Sequence, residues 1–500
     1  MGLLVFLVCA LLLVAGYAVY GRVAERVYGV DFRMVMPCRT HADGVDYVPM
    51  PMWKIFLIQL LNIAGLGPVF GAFAGCLFGP VALLWIVLGC IFAGAMHDFL
   101  AALMSAEHDG ENLPEIVGRY LGKSARYTMR GLCILLLLLV GVVFTTGPAG
   151  MLHAMVSGIS DTWWCVIIMG YYFLATVLPI NTIIGRIYPL FGLLFIFMAV
   201  SLAVALPFGE NPVLPRLDMF SNMHPQGLDI WPMIFVTIAC GAISGFHATQ
   251  SPMMVRCLPD VRQARSVFYG AMIVEGLVAL VWATVGLTLR DCLTDYALTA
   301  DASGKILPHL AGPGESVVSF LQLSLHSPAT AVNQACTTLL GPAGATLAVL
   351  GVVVLPITSG DTAMRCCRLM LADVLHLEQK SALRRLALAL PIFAAVVVIS
   401  RLDFGIIWRY FGWANQALSC FTLWSIAVVL RRRGRWHWMA TLPALFMTTM
   451  CVTFLFCSPD CLIGLSQGTA TIVGVAVAVL CLIPFLRVRS GNAGTSGTLE

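Results

Sequence analysis

The chain has 500 residues, of which 59% are hydrophobic and only 11% are charged, and its mean hydropathy is +0.90. Soluble globular domains are about a quarter charged, so this composition excludes that class and indicates a polytopic protein whose solvent is largely lipid. The net charge of +4 is small and gives no support for a nucleic-acid partner.

Apolar runs of bilayer length recur from one end of the chain to the other. A transmembrane helix needs roughly 17–25 apolar residues. The first run lacks the basic start and the cleavage site of a signal peptide, so we interpret it as a membrane helix. In all we predict thirteen spans, at 2–20, 53–75, 80–104, 129–152, 163–181, 186–207, 231–250, 267–289, 338–360, 386–400, 404–430, 437–457 and 466–486.

Lysine and arginine are concentrated in alternate loops between these spans, for example at 119–130 and 431–435. The positive-inside rule makes those loops cytoplasmic. We therefore predict that the N-terminus lies outside and the C-terminus inside. The longest outer loop is predicted at 290–337, and the short polar tail at 490–500 is predicted to be disordered.

Two of the spans are interrupted by glycine and proline. The first contains N-I-A-G-L-G-P-V-F-G (62–71) and the second C-G-A-I-S-G-F-H-A-T-Q-S-P (240–252). They begin on opposite sides of the membrane and each is followed by four more spans, a pattern typical of two five-helix inverted repeats with a discontinuous first helix. The predicted fold class is therefore all-α and polytopic. We assign an extra helix to 1–30, repeats to 53–207 and 231–430, and two extra helices to 437–489.

Unwound backbone at mid-membrane is tolerated where it lines a cavity, and its free N–H and C=O groups then bind anions and cations. The alternative is that the glycines only let helices pack closely. On the first interpretation we predict that solute is bound by backbone and side chains at the two breaks and by an amide in a later span. The predicted substrate-binding residues are Gly65, Gly67, Gly241, Ser244, Gly245, His247 and Asn415.

Several motifs resemble the carbon starvation protein A family over about residues 30–430. They are D-G-V-D-Y-V-P (43–49), A-G-A-M-H-D-F (93–99), A-C-G-A-I-S-G-F-H-A (239–248), S-G-D-T-A-M-R (359–365) and I-W-R-Y-F-G-W-A-N-Q (407–416). The resemblance implies a bacterial inner-membrane transporter of pyruvate or of peptides, driven by protons. It also implies the five-plus-five inverted-repeat fold called LeuT-like, or APC-like.

Acids inside membrane spans are expensive and are functional candidates by default. We predict that Glu275, Asp98 and Asp361 carry the coupling proton. The alternative for Glu275 and Asp98 is a structural salt bridge with Arg365, Arg368 or Arg409, or a neutral acid that is hydrogen-bonded to the backbone.

A candidate sodium site follows from analogy with five-plus-five carriers. There, a hydroxyl pair meets carbonyl groups of the first broken helix. The corresponding residues are Thr358 and Ser359 with the carbonyls of Ala64 and Gly67, and an all-oxygen ligand set suits a hard cation. The alternative is that both hydroxyls bond back to their own helix.

The function that fits these features is proton-coupled uptake of a small carboxylate, pyruvate for preference, or of peptides. Two alternatives stay open: a sodium-coupled amino-acid carrier of the same fold, and a membrane-embedded enzyme that uses His97 with Asp98, or His247. The chain contains no Walker loop, so ATP is not expected as the energy source, and no cofactor is expected beyond the coupling ion. The expected partners are the solute and membrane lipid, while the oligomeric state stays open.

Overall fold

A computed structural model describes residues 1–156, 158–178, 184–300, 306–402, 404–458 and 463–490. Ten of its helices are long and apolar enough to cross a bilayer, or eleven if one bent pair counts as a single span. Two further predicted spans, 163–181 and 231–250, contain helices that fall short of that length. The count of thirteen therefore stays a prediction. Most of the tail predicted to be disordered, 491–500, lies outside the described residues.

The N-terminal third contains a long apolar helix, a bent helix pair and a span interrupted by a π-helical turn. Its α-helices are α1 (Gly2–Ala18), α2 (Tyr20–Tyr28), α3 (Pro37–Thr40), α4 (Met52–Ile63), α5 (Ala72–Cys76), α6 (Val81–Gly89), α7 (Ala95–Glu107) and α8 (Leu113–Leu121). The π-helical turns are Gly67–Gly71 and Cys90–Gly94.

The middle third contains three long apolar helices, a shorter one and the second broken span. Its α-helices are α9 (Lys123–Met155), α10 (Asp161–Val177), α11 (Ile184–Ala205), α12 (Ile230–Thr237), α13 (Phe246–Val255) and α14 (Gly270–Leu289). Short 3-10 turns occupy Leu206–Phe208 and Val261–Gln263, and a π-helical turn occupies Arg265–Tyr269.

The predicted outer loop at 290–337 is structured rather than open. It contains an antiparallel hairpin of β1 (Tyr296–Ala300) and β2 (Ile306–Leu310), followed by α15 (Phe320–His326). Ser319 and Gln322 form a reciprocal capping box that starts α15. The remaining helices are α16 (Pro328–Val374), α17 (Ala382–Ile399), α18 (Phe404–Arg432), α19 (Trp438–Cys457) and α20 (Gln467–Leu486). Helix α16 starts ten residues before the predicted span and is interrupted at Gly341, where φ is +67°.

Both predicted interruptions are present, with shifted boundaries. In the first, residues 64–66 are unwound and α4 meets the following segment at 54°. Pro68 and Gly71, which we expected to break the helix, lie in the π-helical turn that resumes it. In the second, the break is 238–245 rather than 240–252, and Pro252 lies inside α13. A membrane helix tolerates an internal proline where its neighbours satisfy the freed carbonyl.

The two broken helices cross each other in the interior of the protein. Half-helix α4 packs against α13, and α5 packs against α12, while α16 packs against α9 and α11. Helix α1 packs on α14, and α19 and α20 pack on each other beside α18. This packing brings both breaks together and leaves α1, α19 and α20 at the periphery of the helix bundle. The grouping into two five-helix repeats stays a prediction.

Candidate functional site

A cavity of about 500 Å³ opens beside the two breaks. Its lining comes from the π-helical turn Gly67–Gly71 after the first break, from the end of α12, from Cys240 in the second break and from the first turns of α18. Trp408 and Arg409 also line it, so the cavity combines an aromatic wall with one guanidinium group. Its size is in the usual range for small-molecule sites, about 300–1,000 Å³.

Glycines at the breaks are required by close backbone contact. A Cβ at Gly67 would lie 2.3 Å from the Cβ of Cys240, and a Cβ at Gly71 would lie 2.9 Å from the carbonyl oxygen of Thr237. Gly241 has a φ of +89°, a region that side chains other than glycine rarely adopt. Close packing and an open cavity therefore coexist at the breaks, so the two interpretations of these glycines are not exclusive.

Asn415, which we predicted to bind solute, forms hydrogen bonds that hold the second break in place. Its Oδ1 accepts hydrogen bonds from the hydroxyl group of Ser244, at 3.0 Å, and from the N–H of Phe246, at 2.7 Å. Its carbonyl oxygen accepts from the N–H of Gly245, at 3.1 Å. The free N–H groups at the start of α13 are thus satisfied by α18. In this conformation only Gly67, of the predicted substrate-binding residues, lines the cavity. A Cβ at Gly65 would lie 2.5 Å from the ring of Phe144.

Four buried ionisable side chains form a continuous chain beneath the cavity. Asp98 accepts hydrogen bonds from Nδ1 of His97 and from Nδ1 of His247, each at 2.8 Å. The Nε2 of His247 lies 3.5 Å from a carboxylate oxygen of Glu275. His247 itself lies in the first turn of α13, just after the break and not within it. The sequence singled out all four residues but did not predict that they meet.

Asp361 lies in a second polar cluster, on the other side of the first break. The hydroxyl group of Tyr171 donates to its Oδ2, at 2.5 Å, and the hydroxyl of Tyr188 lies 2.8 Å from its Oδ1. The Tyr188 hydroxyl is also 2.8 Å from the carbonyl oxygen of Thr358 and 3.3 Å from Oδ1 of Asn62. The cluster therefore joins α4, α10, α11 and α16 at the depth of the break.

The predicted sodium ligands are only partly brought together. The hydroxyl groups of Thr358 and Ser359 both donate to the carbonyl oxygen of Leu61, at 3.0 Å each. The contact with the first broken helix is therefore at Leu61, about one turn before Ala64 and nearly two turns before Gly67. The Thr358 hydroxyl is also within hydrogen-bond distance of carbonyl oxygens in its own helix, at Val354 and Leu355. The hydroxyl pair does face the first broken helix, and the identity of any cation there stays a prediction.

A buried ion-pair cluster joins the loop before α4 to α16, at the end of α4 away from the first break. Asp46 is 2% exposed, and it accepts from Arg365 at 3.0 Å and from Arg368 at 3.3 Å. We call these three residues the Asp46 latch. Burial raises the pKa of Asp46, but the guanidinium groups of Arg368 and Arg365 more than offset this effect and hold it below the usual value of an aspartate. The arginines therefore pair with a loop acid, and not with Glu275 or Asp98 as the salt-bridge alternative proposed.

Sequence reasoning missed two residues of this site. Asp46 lies in the motif at 43–49 but was not predicted to have a role. It precedes the first broken helix, and its charge is opposite to that of Arg365 and Arg368, so an ion pair could have been considered. Cys240 was treated as a small hydrophobic residue, although it lies inside the second break, where a thiol can be used chemically. Neither the charge of Asp46 nor the position of Cys240 identifies the residues that they contact, because those residues are far apart in the chain.

Comparison with known proteins gives a consistent result. The sequence model of the family described as "Carbon starvation protein CstA" matches residues 1–154, 134–303 and 317–454. A membrane protein of Haemophilus influenzae is 40% identical over 337 residues, which cover 57% of this chain and 91% of that protein. The peptide transporter CstA of Escherichia coli is 26% identical over 90% of this chain and 80% of its own length.

Two solved transporters share the fold. A mutant form of the Eremococcus coleocola manganese transporter matches with a TM-score of 0.54 at 14% identity, over 89% of this chain and 98% of that one. MHP1, a nucleobase-cation-symport-1 family transporter, matches with a TM-score of 0.53 at 13% identity, over 89% and 96% of the two chains. At this identity the likeness concerns the fold alone.

Proposed function

The chain belongs to the carbon starvation protein CstA family, and from that premise we propose that it is a secondary active transporter that takes up a small carboxylate or a peptide together with protons. Membership of the family and the multi-span fold support a membrane transporter. The proposal adds the substrate class, the proton, the five-plus-five inverted repeat and a bacterial inner-membrane location with the cavity on the outer side.

The observation that carries the proposal is the position of the cavity. It lies at both helix breaks, whereas the Asp46 latch lies at the other end of α4, where we infer that it closes the opposite face. A site that is reached from one side and blocked on the other is what alternating access requires. A channel would need a path through both faces.

Arg409 supports an anionic solute. Arg409 is one of the residues that line the cavity, and guanidinium groups bind carboxylates through paired, charge-assisted hydrogen bonds. Pyruvate and a peptide both carry a carboxylate. Several relatives, including that from Escherichia coli, are named peptide transporters, which favours the peptide, whereas the family resemblance also implies pyruvate.

The hydrogen bonds around Asp361 support proton coupling, because they need one more hydrogen than the Tyr188 hydroxyl can supply. The hydroxyl of Tyr188 faces three acceptors, on Asp361, Thr358 and Asn62, but a phenol has only one hydrogen to donate. A proton on Asp361 supplies a second hydrogen, which the carboxyl group donates to the Tyr188 oxygen. The cluster also touches the first break, so gain or loss of this proton would alter the contact between α4 and α16.

The test is transport by purified protein in liposomes. Labelled pyruvate and a labelled dipeptide are offered with an imposed pH gradient and, separately, with a sodium gradient. Wild-type protein is expected to accumulate at least one of them when the outside is acidic. Uptake that responds to sodium alone would refute proton coupling and favour the sodium alternative at Thr358 and Ser359.

Substitution of Asp361 sharpens the test. The variant Asp361→Asn should lose accumulation driven by the pH gradient while it keeps exchange of labelled for unlabelled solute. Glu315→Gln, which changes an exposed acid in the loop before α15, is the matched control and should behave as wild type. Accumulation at the wild-type level by Asp361→Asn would remove this acid from the coupling mechanism.

A further inference from the structure

Cys240, His247 and Glu275 converge beside the cavity, which Cys240 lines. One ligand atom from each residue lies within 4.8 Å of the other two, and all three residues are buried. Cys240 lies in the second break, His247 in the first turn of α13, and Glu275 near the start of α14. The break therefore brings a thiol and an imidazole to the same side of a carboxylate.

The orientation of His247 is fixed by Asp98. The Nδ1 of His247 donates to Asp98, whose other oxygen accepts from His97. This pattern leaves Nε2 with its lone pair, directed at Glu275 from 3.5 Å. Histidines that bind metals commonly donate their other ring N–H to a carboxylate, which fixes the tautomer and makes the ligand atom more basic.

The facing atoms of His247 and Glu275 make no hydrogen bond of good geometry. Among the described residues, neither Nε2 of His247 nor either carboxylate oxygen of Glu275 has a hydrogen-bond partner. Buried acceptors that face each other without a donor are costly. A cation between them removes that cost, and the nearby sulfur of Cys240 supplies a third ligand.

We propose that Cys240, His247 and Glu275 bind one divalent transition-metal ion of the zinc class. Thiolate, imidazole and carboxylate together suit zinc, cobalt and ferrous iron far better than magnesium or calcium. Ligand atoms around zinc lie about 3.5 Å apart, so the site needs to contract by only about 1 Å. Asp98 is a positioning residue. Cys240 also lines the cavity, so the ion is reached from there, and three protein ligands leave a fourth position for water or solute.

The test is cobalt binding by the purified full-length protein. Thiolate coordination of Co²⁺ produces a charge-transfer band in the near ultraviolet that carboxylate or imidazole alone does not. We expect wild-type protein to bind one ion per chain with this band, and Zn²⁺ to displace it. Cys240→Ser should abolish the band, whereas Cys336→Ser, which changes a buried cysteine elsewhere, should leave it unchanged.

The remaining variants separate ligands from the positioning residue. Glu275→Gln should weaken binding more than 100-fold, and Asp98→Asn should weaken it about 10–100-fold while the thiolate band is kept. Absence of cobalt binding by folded wild-type protein, or a band that persists in Cys240→Ser, would overturn the proposal. In the first case the occupant is a proton shared by His247 and Glu275. The readout is binding and not transport, so its failure is distinct from failure of the proposed function.

Discussion

Replacing the acid of the Asp46 latch should open the face that the latch closes. Asp46→Asn removes the only carboxylate that the structure pairs with Arg365 and Arg368 in this cluster, and all three side chains are at most 2% exposed. Removal of one partner from a buried ion pair costs about 3–5 kcal/mol. Both arginines become solvated when this face opens, so the cost falls mainly on the closed state. A difference of about 3 kcal/mol shifts the equilibrium roughly 100-fold toward opening.

The opening of this face can be measured from the reactivity of two native cysteines. The thiol of Cys257 is buried against the carbonyl oxygen of Asp46, at 3.8 Å, whereas buried Cys76 lies in α5, on the cavity side. Labelling by a maleimide, followed peptide by peptide with mass spectrometry, should accelerate by one to two orders of magnitude at Cys257 and not at Cys76. The matched control is Asp43→Asn. It removes a charge from the same loop but keeps the oxygen that accepts three backbone N–H groups.

The latch also has a defined pH range. The pKa of Asp46 is held below its unfolded value of about 3.9, so its stabilising effect is complete above that value. The effect is lost only as pH falls through the lower, folded value. Maleimide reacts with the thiolate, so the rate at Cys257 must be divided at each pH by the rate at the same cysteine in unfolded protein. This ratio, which measures protection by the latch, should be constant from about pH 5 to 8. Unchanged labelling of Cys257 in folded Asp46→Asn, or a ratio that rises steadily over that pH range in wild type, would refute this reasoning.

Three further outcomes follow from the site. Gly67→Ala should reduce transport more than tenfold, because its Cβ would lie 2.3 Å from that of Cys240; Gly150→Ala, which has open space around it, is the control. Asn415→Leu leaves buried donors unpaired and should lower the free energy of unfolding by about 2–4 kcal/mol, measured by denaturation in detergent; an unchanged value would remove Asn415 from its tying role. Arg409→Gln should raise the KM for a carboxylate solute about 10–100-fold, measured from the concentration dependence of uptake, and an unchanged KM would remove Arg409 from the solute site.

Much of the architecture was predictable because it depends on features of short stretches of the chain. Composition alone requires a lipid solvent. The length of the apolar runs locates the helices, including the short one predicted at 386–400, which the structure gives as Ala382–Ile399. Glycine and proline located both interruptions, since each removes helix stability at its own position. The boundaries were less certain, and Pro252 lies in a continuous helix because one lost hydrogen bond can be tolerated there.

What only the tertiary structure decided is which residues meet. His247 reaches Asp98 across 149 positions, and Asp46 reaches Arg365 across 319. The hydroxyl pair meets Leu61 and not Ala64, a difference of three residues that follows from how α16 lies against α4. Hydropathy and breaker residues act over a few positions, whereas these contacts depend on the depth and rotation at which packed helices come to rest. For that reason the sequence by itself determined the membrane fold and its two breaks, and the packing of the helices determined the chemistry between them.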